Sequence, residues 1–415
     1  MAGKDIFRMS MKELKRLPVI HSVINGQTKQ QEAANILGLC RQQIGRITAR
    51  VKQEGEIALI HKSRGRPSRR ARLPEVKNKI LELCKTRYQG FNPTFAAEKL
   101  FEINKIYIHP DTMRKWFIEA GIEYKKRKAP KHRCWRPRRD SYGHMVQLDG
   151  SHHDWFEGRG SWCVLMGYVD DATGRIYANF YEYEGTKPAM DSFKRYIKRY
   201  GLPQSIYLDK HTTYKSTKKP TLEDELNNAR SLSQFERVLK ELCVDVIHAE
   251  SPQAKGRVER SFRTHQDRLI KEMRLKDINN IKDANKFLHS YYIPKHNRKF
   301  TVPAKNSTDM HRPIPKGVDL NRIFCIKNNA ALRKDFTVQY NNRFYQVLDA
   351  IRAKGVTIEE RLDGRLYIYH KDRQLQYKVI DKRPSKPKRL YKLRKHRYVP
   401  PQDHPYRRFQ IKKCA

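Results

Sequence analysis

Three acidic residues stand where a side chain could do chemistry. Asp149 follows the mostly apolar run Met145 to Leu148, Asp209 follows Ser205-Ile206-Tyr207-Leu208, and Glu259 lies in Gln253-Ala254-Lys255-Gly256-Arg257-Val258-Glu259-Arg260-Ser261-Phe262, which reads as a helix. Two strand ends and one helix face can converge, and carboxylates gathered in that way are hard oxygen ligands suited to a divalent metal. Taken singly, an Asp at a strand end is a turn-former and a Glu on a helix is a solvated charge, so the assignment rests on the three together in their motif context. Asp154, Glu157 and Glu250 are the nearest substitutes in sequence. Asp170 and Asp171 read as turn residues of a hairpin, and His152, His153 and His211 are open between a role at the site and a structural one.

The elements needed to position these residues can be read around them. Ser161 to Val169 is strand-like, Asp170 to Gly174 is a turn, and Arg175 to Tyr181 is a second strand, which together make a hairpin. Pro188 opens a helix with an apolar face of Phe193, Tyr196, Ile197 and Tyr200. Another helix is marked by Phe235, Val238, Leu239 and Leu242, a strand by Val244 to His248, and a last helix runs from about Val258 past Leu269. The order β-β-β-α-β-α-β-α predicts a central α/β core on a mixed five-stranded sheet, with carboxylates at strand ends.

Composition narrows the partner. The 415 residues carry a formal net charge of +44, far more than solubility requires, so a polyanion and nucleic acid above all is expected. No apolar run approaches the length of a spanning helix, and Met1 to Phe7 lacks an apolar signal-type core, which predicts an intracellular protein with no membrane partner. Seven cysteines, scattered without a CxxC pair, argue against a disulfide scaffold or a structural zinc.

Ahead of the core, Thr28 to Ile47 fits two short helices around Gly38, with Thr28 as a cap and Gly38 in a positive-φ turn. The second of them would expose Arg41, Gln42, Gln43 and Arg46, side chains able to make bidentate contacts with guanine and adenine edges. An ordinary helical hairpin with a solvated polar face would look the same. A second helix, turn, helix pattern runs from about Pro74 to Gly121, with Pro110 at a helix start and Thr112, Arg114 and Lys115 as its exposed candidates. Two basic links punctuate this front. Arg64 and Arg66 of the first could enter a narrow minor groove, and Lys126, Arg127 and Arg136 of the second could neutralise phosphates; a solvated linker is the alternative for both. Behind the core, five short strands between Phe336 and Val379 predict a small β-barrel, followed by a basic, proline-dotted tail.

The central motifs resemble the ribonuclease H-like core of retroviral integrases and bacterial insertion-sequence transposases. The resemblance is carried by Gln147-Leu148-Asp149-Gly150-Ser151, Val169-Asp170-Asp171-Ala172-Thr173-Gly174, Tyr207-Leu208-Asp209 and Ser251 to Arg260, and the details are most similar to ISNCY-type integrase-core transposases. It implies a DDE motif mapped onto Asp149, Asp209 and Glu259, which would be both catalytic residues and metal ligands for two Mg²⁺ (or Mn²⁺) ions per active site. Asp149 would bridge both ions, and Lys255 and Arg263, one turn either side of Glu259, would hold the phosphate backbone. Glu259 comes 50 positions after Asp209, longer than in retroviral integrases, and Lys210-His211-Thr212-Thr213 replaces the familiar Asn-Gly; the extra length falls in the polar stretch Lys215 to Ser233.

The chain therefore divides into a first helix-turn-helix domain (1–62), a basic linker (63–73), a second helix-turn-helix domain (74–123), a second basic linker (124–140), an integrase-like catalytic core (141–300), a connector (301–330), a small β-barrel (331–380) and a basic tail (381–415). The implied activity is a transposase that binds double-stranded DNA at its element's ends, cuts there and joins the ends to target DNA. It would work as a homo-oligomer, at least a dimer on DNA, in the bacterial cytoplasm at the nucleoid, with no small-molecule substrate. A metal-dependent nuclease that does not join, and a DNA-binding regulator with a non-catalytic core, are the alternatives.

Overall fold

The computed structural model describes residues 9–64, 72–125, 137–209, 211–216, 231–248, 256–381 and 399–405. The chain forms two compact units, Met1–Leu100 with Lys105–Glu123, and Phe101–Asn104 with Tyr124–Ala415.

In the first unit, α1 (Met11–Ile24), α2 (Gln30–Leu37) and α3 (Arg41–Glu54) bury Ile20, Ala33, Ala34, Ile44, Ile47 and Val51 together. Gly38 ends α2 with φ 61, the left-handed turn expected from a residue without a Cβ. The expected cap at Thr28 does not form. Its N–H turns back to the Ser22 carbonyl at 3.2 Å, so Thr28 closes the end of α1, while Lys29 heads α2 and donates its N–H to the Glu32 carboxylate at 3.1 Å. A second set of helices, α4 (Pro74–Lys85), α5 (Pro93–Asn104) and α6 (Pro110–Glu119), buries Ile80, Cys84, Phe91, Phe95, Trp116 and Phe117, with Phe91 and Phe95 stacked at 4.8 Å. Pro110 takes the first position of α6, where its missing N–H costs nothing.

The second unit is built on a five-stranded mixed sheet. Its strands are β2 (Met145–His153), β3 (Cys163–Asp170), β4 (Ile176–Tyr181), β5 (Ser205–Leu208) and β6 (Asp245–His248), after a short β1 (Ser141–Tyr142). They lie in the order β4-β3-β2-β5-β6; the first three are antiparallel neighbours, while β2/β5 and β5/β6 are parallel. That is the mixed five-stranded core the motif order predicts. Every residue of β3 is buried, because helices cover both faces. On one face Val146, Leu148 and Ile206 pack beneath α7 (Thr186–Tyr200) and α8 (Gln234–Glu241). On the other, Leu165, Val169 and Phe180 meet α9 (Gly256–Leu275), α10 (Ile281–Phe287) and α11 (Ile293–Phe300).

Two buried histidines sit under this second face. His265 bonds Ser261 Oγ at 2.8 Å and the Tyr292 hydroxyl at 2.9 Å, and its ring lies 4.9 Å from that of His296. Burial holds His265 well below its ordinary pKa, and burial followed by the nearby Arg268 charge lowers His296 to about 4. Both rings are thus neutral in the fold. As pH falls below about 6.5 the unfolded chain takes up protons that the folded one refuses, so stability is complete above that pH and declines towards pH 4. The share from His296 reaches on the order of 3 kcal/mol at the acid end. Urea unfolding at pH 7 and pH 5 measures it. His296→Phe should flatten the dependence, and an unchanged pH slope in that variant would refute the assignment.

Toward the C-terminus, β7 (Asn306–Asp309) pairs with β1 in parallel, and α12 (Leu320–Ile323) leads into seven strands. The predicted five-stranded barrel is not what forms. Strands β8 (Cys325–Ala331), β11 (Gly355–Arg361), β12 (Leu366–His370) and β13 (Arg373–Leu375) make one sheet, and β9 (Thr337–Tyr340), β10 (Arg343–Val347) and β14 (Tyr377–Ile380) make another. The two share a core of Val338, Tyr345, Val347, Ile358, Ile368 and Leu375 without closing into a barrel. The physical reason lies in β8, which occupies the full length of the β11 edge that a closed five-strand barrel would need. These sheets grip the helices of the core. Gln234 at the start of α8 accepts the Lys327 N–H at 3.0 Å and donates to its carbonyl at 2.7 Å, and Lys187 of α7 pairs with Glu360 at 2.6 Å.

Candidate active site

Asp149 lies within β2, half-buried, opposite Gly167 of β3. Neighbouring β5 runs parallel, with Tyr207 level with Gln147, and Asp209 follows its last residue. Asp149 and Asp209 are each two residues past that matched pair, Asp149 within β2 and Asp209 just beyond the end of β5.

Glu259 is in the first turn of α9, and a repeating set of contacts fixes where that turn sits. The Val258 N–H donates to Gln147 Oε1 at 3.3 Å. One turn on, Phe262 lies so close over Gly167, the partner of Asp149, that a Cβ there would be 2.9 Å from its ring. A further turn on, Gln266 Nε2 donates to Ser151 Oγ at 3.3 Å. Four helical residues rise roughly 6 Å and two strand residues roughly 6.6 Å, so helix and strand stay in step along positions 147, 149 and 151. Glu259 therefore sits at the level between Gln147 and Asp149.

The carrying elements converge, while the side chains do not form a closed cage. Among the described residues no group of three His, Cys, Asp or Glu side chains is placed to hold a metal ion. Around them, Tyr214 is buried, and burial, then the charge of Glu184, with Asp149 contributing less, raises its hydroxyl far above the ordinary range. That hydroxyl donates to Glu184 Oε1 at 3.4 Å. Glu184 in turn lies against Gly150, where a Cβ would come within 2.6 Å of its carboxyl group.

Other sequence candidates have structural work. Asp154 accepts the Gly158 N–H at 2.9 Å, and Glu157 pairs with Arg274 at 3.3 Å. His152 lies against Trp162 and His153 against Trp155, while His211 Nδ1 accepts the Thr213 N–H at 3.4 Å. Glu250 lies outside the described residues. Asp171 is more than a turn residue: it is fully buried and accepts from the Arg139 N–H at 2.9 Å, Gln147 Nε2 at 2.8 Å and Arg257 Nη1 at 2.7 Å. The motif reading missed Gln147 and Arg257 as partners, although each stands two positions before a member of the acidic set.

Of the candidate DNA contacts, Arg41, Gln42, Gln43 and Arg46 are exposed on α3, with Gln43 Oε1 also accepting the Cys40 N–H at 3.4 Å. Arg114 and Lys115 are exposed and Thr112 half-buried on α6, and Arg114 pairs with Asp111 at 2.8 Å. Arg263 is exposed on α9. Arg64 is held by the buried carboxylate of Glu13, which also accepts the Ser10 N–H at 2.8 Å; the Ser10 backbone bond is the main influence lowering that carboxyl to about 2. Arg66, Lys126, Arg127, Arg136 and Lys255 lie outside the described residues.

Comparison with known proteins decides the family. Over 384 residues the chain is 34% identical to the transposase y4bF of Sinorhizobium fredii, covering 91% of this chain and 83% of that one. The chain belongs to the transposase family. A second relative, the transposase for insertion sequence IS1202 of Streptococcus pneumoniae, is 26% identical over 451 aligned positions, covering 96% of this chain and 94% of that one. Residues 15–68 of this transposase match the family model described as a helix-turn-helix domain, a range that takes in most of α1, all of α2 and α3, and the exposed Arg and Gln side chains of α3. Among solved structures, the catalytic core domain of BIV integrase aligns with a TM-score of 0.27 at 18% identity, over 36% of the transposase and 85% of that chain. No helix among the described residues is long and apolar enough to cross a membrane.

Proposed function

We propose that this transposase is of the DDE type, binding double-stranded DNA at the ends of its mobile element, cutting there and joining the ends to target DNA. The observation that carries this reading is the step-for-step seating of α9 on β2, with Glu259 at a level between Gln147 and Asp149 and Asp209 directly after the end of the neighbouring strand β5. Three carboxylates on convergent elements are an all-oxygen donor set, which suits Mg²⁺ or Mn²⁺ and excludes a soft-metal site. Two divalent ions held by Asp149, Asp209 and Glu259 would supply an activated nucleophilic oxygen and stabilise the leaving oxygen of an in-line phosphoryl transfer.

The protein groups supply binding and position. Arg263, exposed one turn beyond Glu259, would hold a DNA phosphate at the site, and Arg41, Gln42 and Arg46, exposed on α3, would read base edges in a major groove. Two element ends must be held at once, so the active species is a homo-oligomer on DNA, at least a dimer, and its place of work is the cytoplasmic nucleoid. The test is to incubate the full chain with labelled element-end DNA, a target plasmid and Mg²⁺. Joined products from the wild type that vanish in Asp209→Asn support the proposal. Cleavage without joining would identify a nuclease, and binding without either a regulator; both would overturn it.

A further inference from the structure

We propose that Gln147, Asp171 and Arg257 form a buried clamp that sets the catalytic carboxylates relative to one another, making them positioning residues for strand cleavage. This rests on the DDE reading above and adds three side chains to it. Each end of the clamp is two residues from a member of the acidic set: Gln147 from Asp149 along β2, and Arg257 from Glu259 along α9. Asp171, on the turn after β3, joins them. One of its oxygens, Oδ1, accepts from both Gln147 Nε2 at 2.8 Å and Arg257 Nη1 at 2.7 Å, while Oδ2 accepts the Arg139 N–H at 2.9 Å. Gln147 closes the ring by accepting the Val258 N–H at 3.3 Å with its own oxygen.

Three properties mark this as a positioning device. The Asp171 side chain is 1% exposed and the Arg257 side chain 9%, so the ion pair works in a medium where screening is weak. The Gln147 amide uses both ends, donor toward Asp171 and acceptor toward the backbone of α9, so neither Glu nor Met can replace it without losing one. Last, the bonds enter α9 at residues 257 and 258, directly before Glu259, where a helix has free N–H groups and no preceding turn to hold it. Without the clamp, the contacts of Phe262 and Gln266 would still seat the later turns, and only the turn bearing Glu259 would be released.

The test compares the wild-type full chain with Gln147→Met, Arg257→Met and the paired replacement Asp171→Asn/Arg257→Gln, which exchanges the ion pair for two neutral amides. Four quantities are read: binding of element-end DNA, Mn²⁺ binding to the protein alone by calorimetry, the cleavage rate at saturating metal, and amide hydrogen exchange at residues 257–260. The expected result for Gln147→Met is unchanged DNA affinity, 10- to 100-fold weaker Mn²⁺ binding or slower cleavage, and faster exchange confined to the first turn of α9, with the paired replacement closer to wild type than Arg257→Met alone. Wild-type metal affinity, rate and exchange in Gln147→Met would overturn the clamp while leaving the DDE reading intact. A wild type that neither cleaves nor joins would instead overturn the DDE reading. Should Arg257→Met fail to fold, Gln147→Met and the paired replacement still decide, because neither leaves an unpaired buried charge.

Discussion

Replacing Glu259 by glutamine is expected to remove cleavage and joining by more than about 1,000-fold, a loss of roughly 4 kcal/mol of transition-state stabilisation, with element-end DNA still bound. The amide has nearly the same volume, so the helix should remain seated through Val258, Phe262 and Gln266. What disappears is one negative oxygen donor from the set that would hold the ions. Cleavage and joining in a single-turnover assay, set beside gel-shift titration of the same DNA, measure both sides of the claim. Residual activity within tenfold of wild type would show that Glu259 is not a member of the set, and Glu184, close to Gly150, would become the next residue to replace.

The second large effect is expected from a single methyl group. Gly167→Ala would place a Cβ 2.9 Å from Cε1 and Cζ of Phe262, a ring that is 7% exposed and packed in the core beneath α9. The ring cannot swing into solvent, so the second turn of the helix must lift from β3. A displacement of about 1 Å at a catalytic group can cost on the order of 100-fold in rate, and a fall of 10- to 100-fold is expected here, with a smaller loss of thermal stability. Phe262→Leu in the same chain returns the space and should recover most of the rate. If Gly167→Ala cleaves at the wild-type rate, the close approach of α9 does not set the geometry of the site.

Local pattern made the catalytic sheet legible. Apolar runs with β-branched and aromatic residues announced β3 and β4, and the apolar face of Phe193, Tyr196 and Ile197 announced α7; these elements take their shape from neighbours in sequence. The clamp was not legible in the same way. Asp171 meets Gln147 across 24 positions and Arg257 across 86, distances over which no periodicity speaks, and an Asp-Asp pair before Ala-Thr-Gly looks like a turn from sequence alone. The open pair of rear sheets was hidden for a related reason. The sequence of β8, Cys-Ile-Lys-Asn-Asn-Ala-Ala, is too polar to read as a strand, and it is held by the ladder to β11 and by the side chain of Gln234. Arg64 shows the converse case: its basic surroundings suggested a groove contact, while a buried Glu13 over fifty positions upstream claims its guanidinium.

Phe324, the residue before β8, is fully buried among Phe193 and Phe235, with ring centroids 6.1 Å from that of Phe193. The rear sheets are thus fastened to the catalytic sheet by a plug as well as by Gln234 and Lys187. Recombination between relatives at this junction would either carry the plug with the sheets or leave a hole under α7 and α8. Domain shuffling should therefore be rare here, and catalytic sheet and rear sheets should be inherited as one piece.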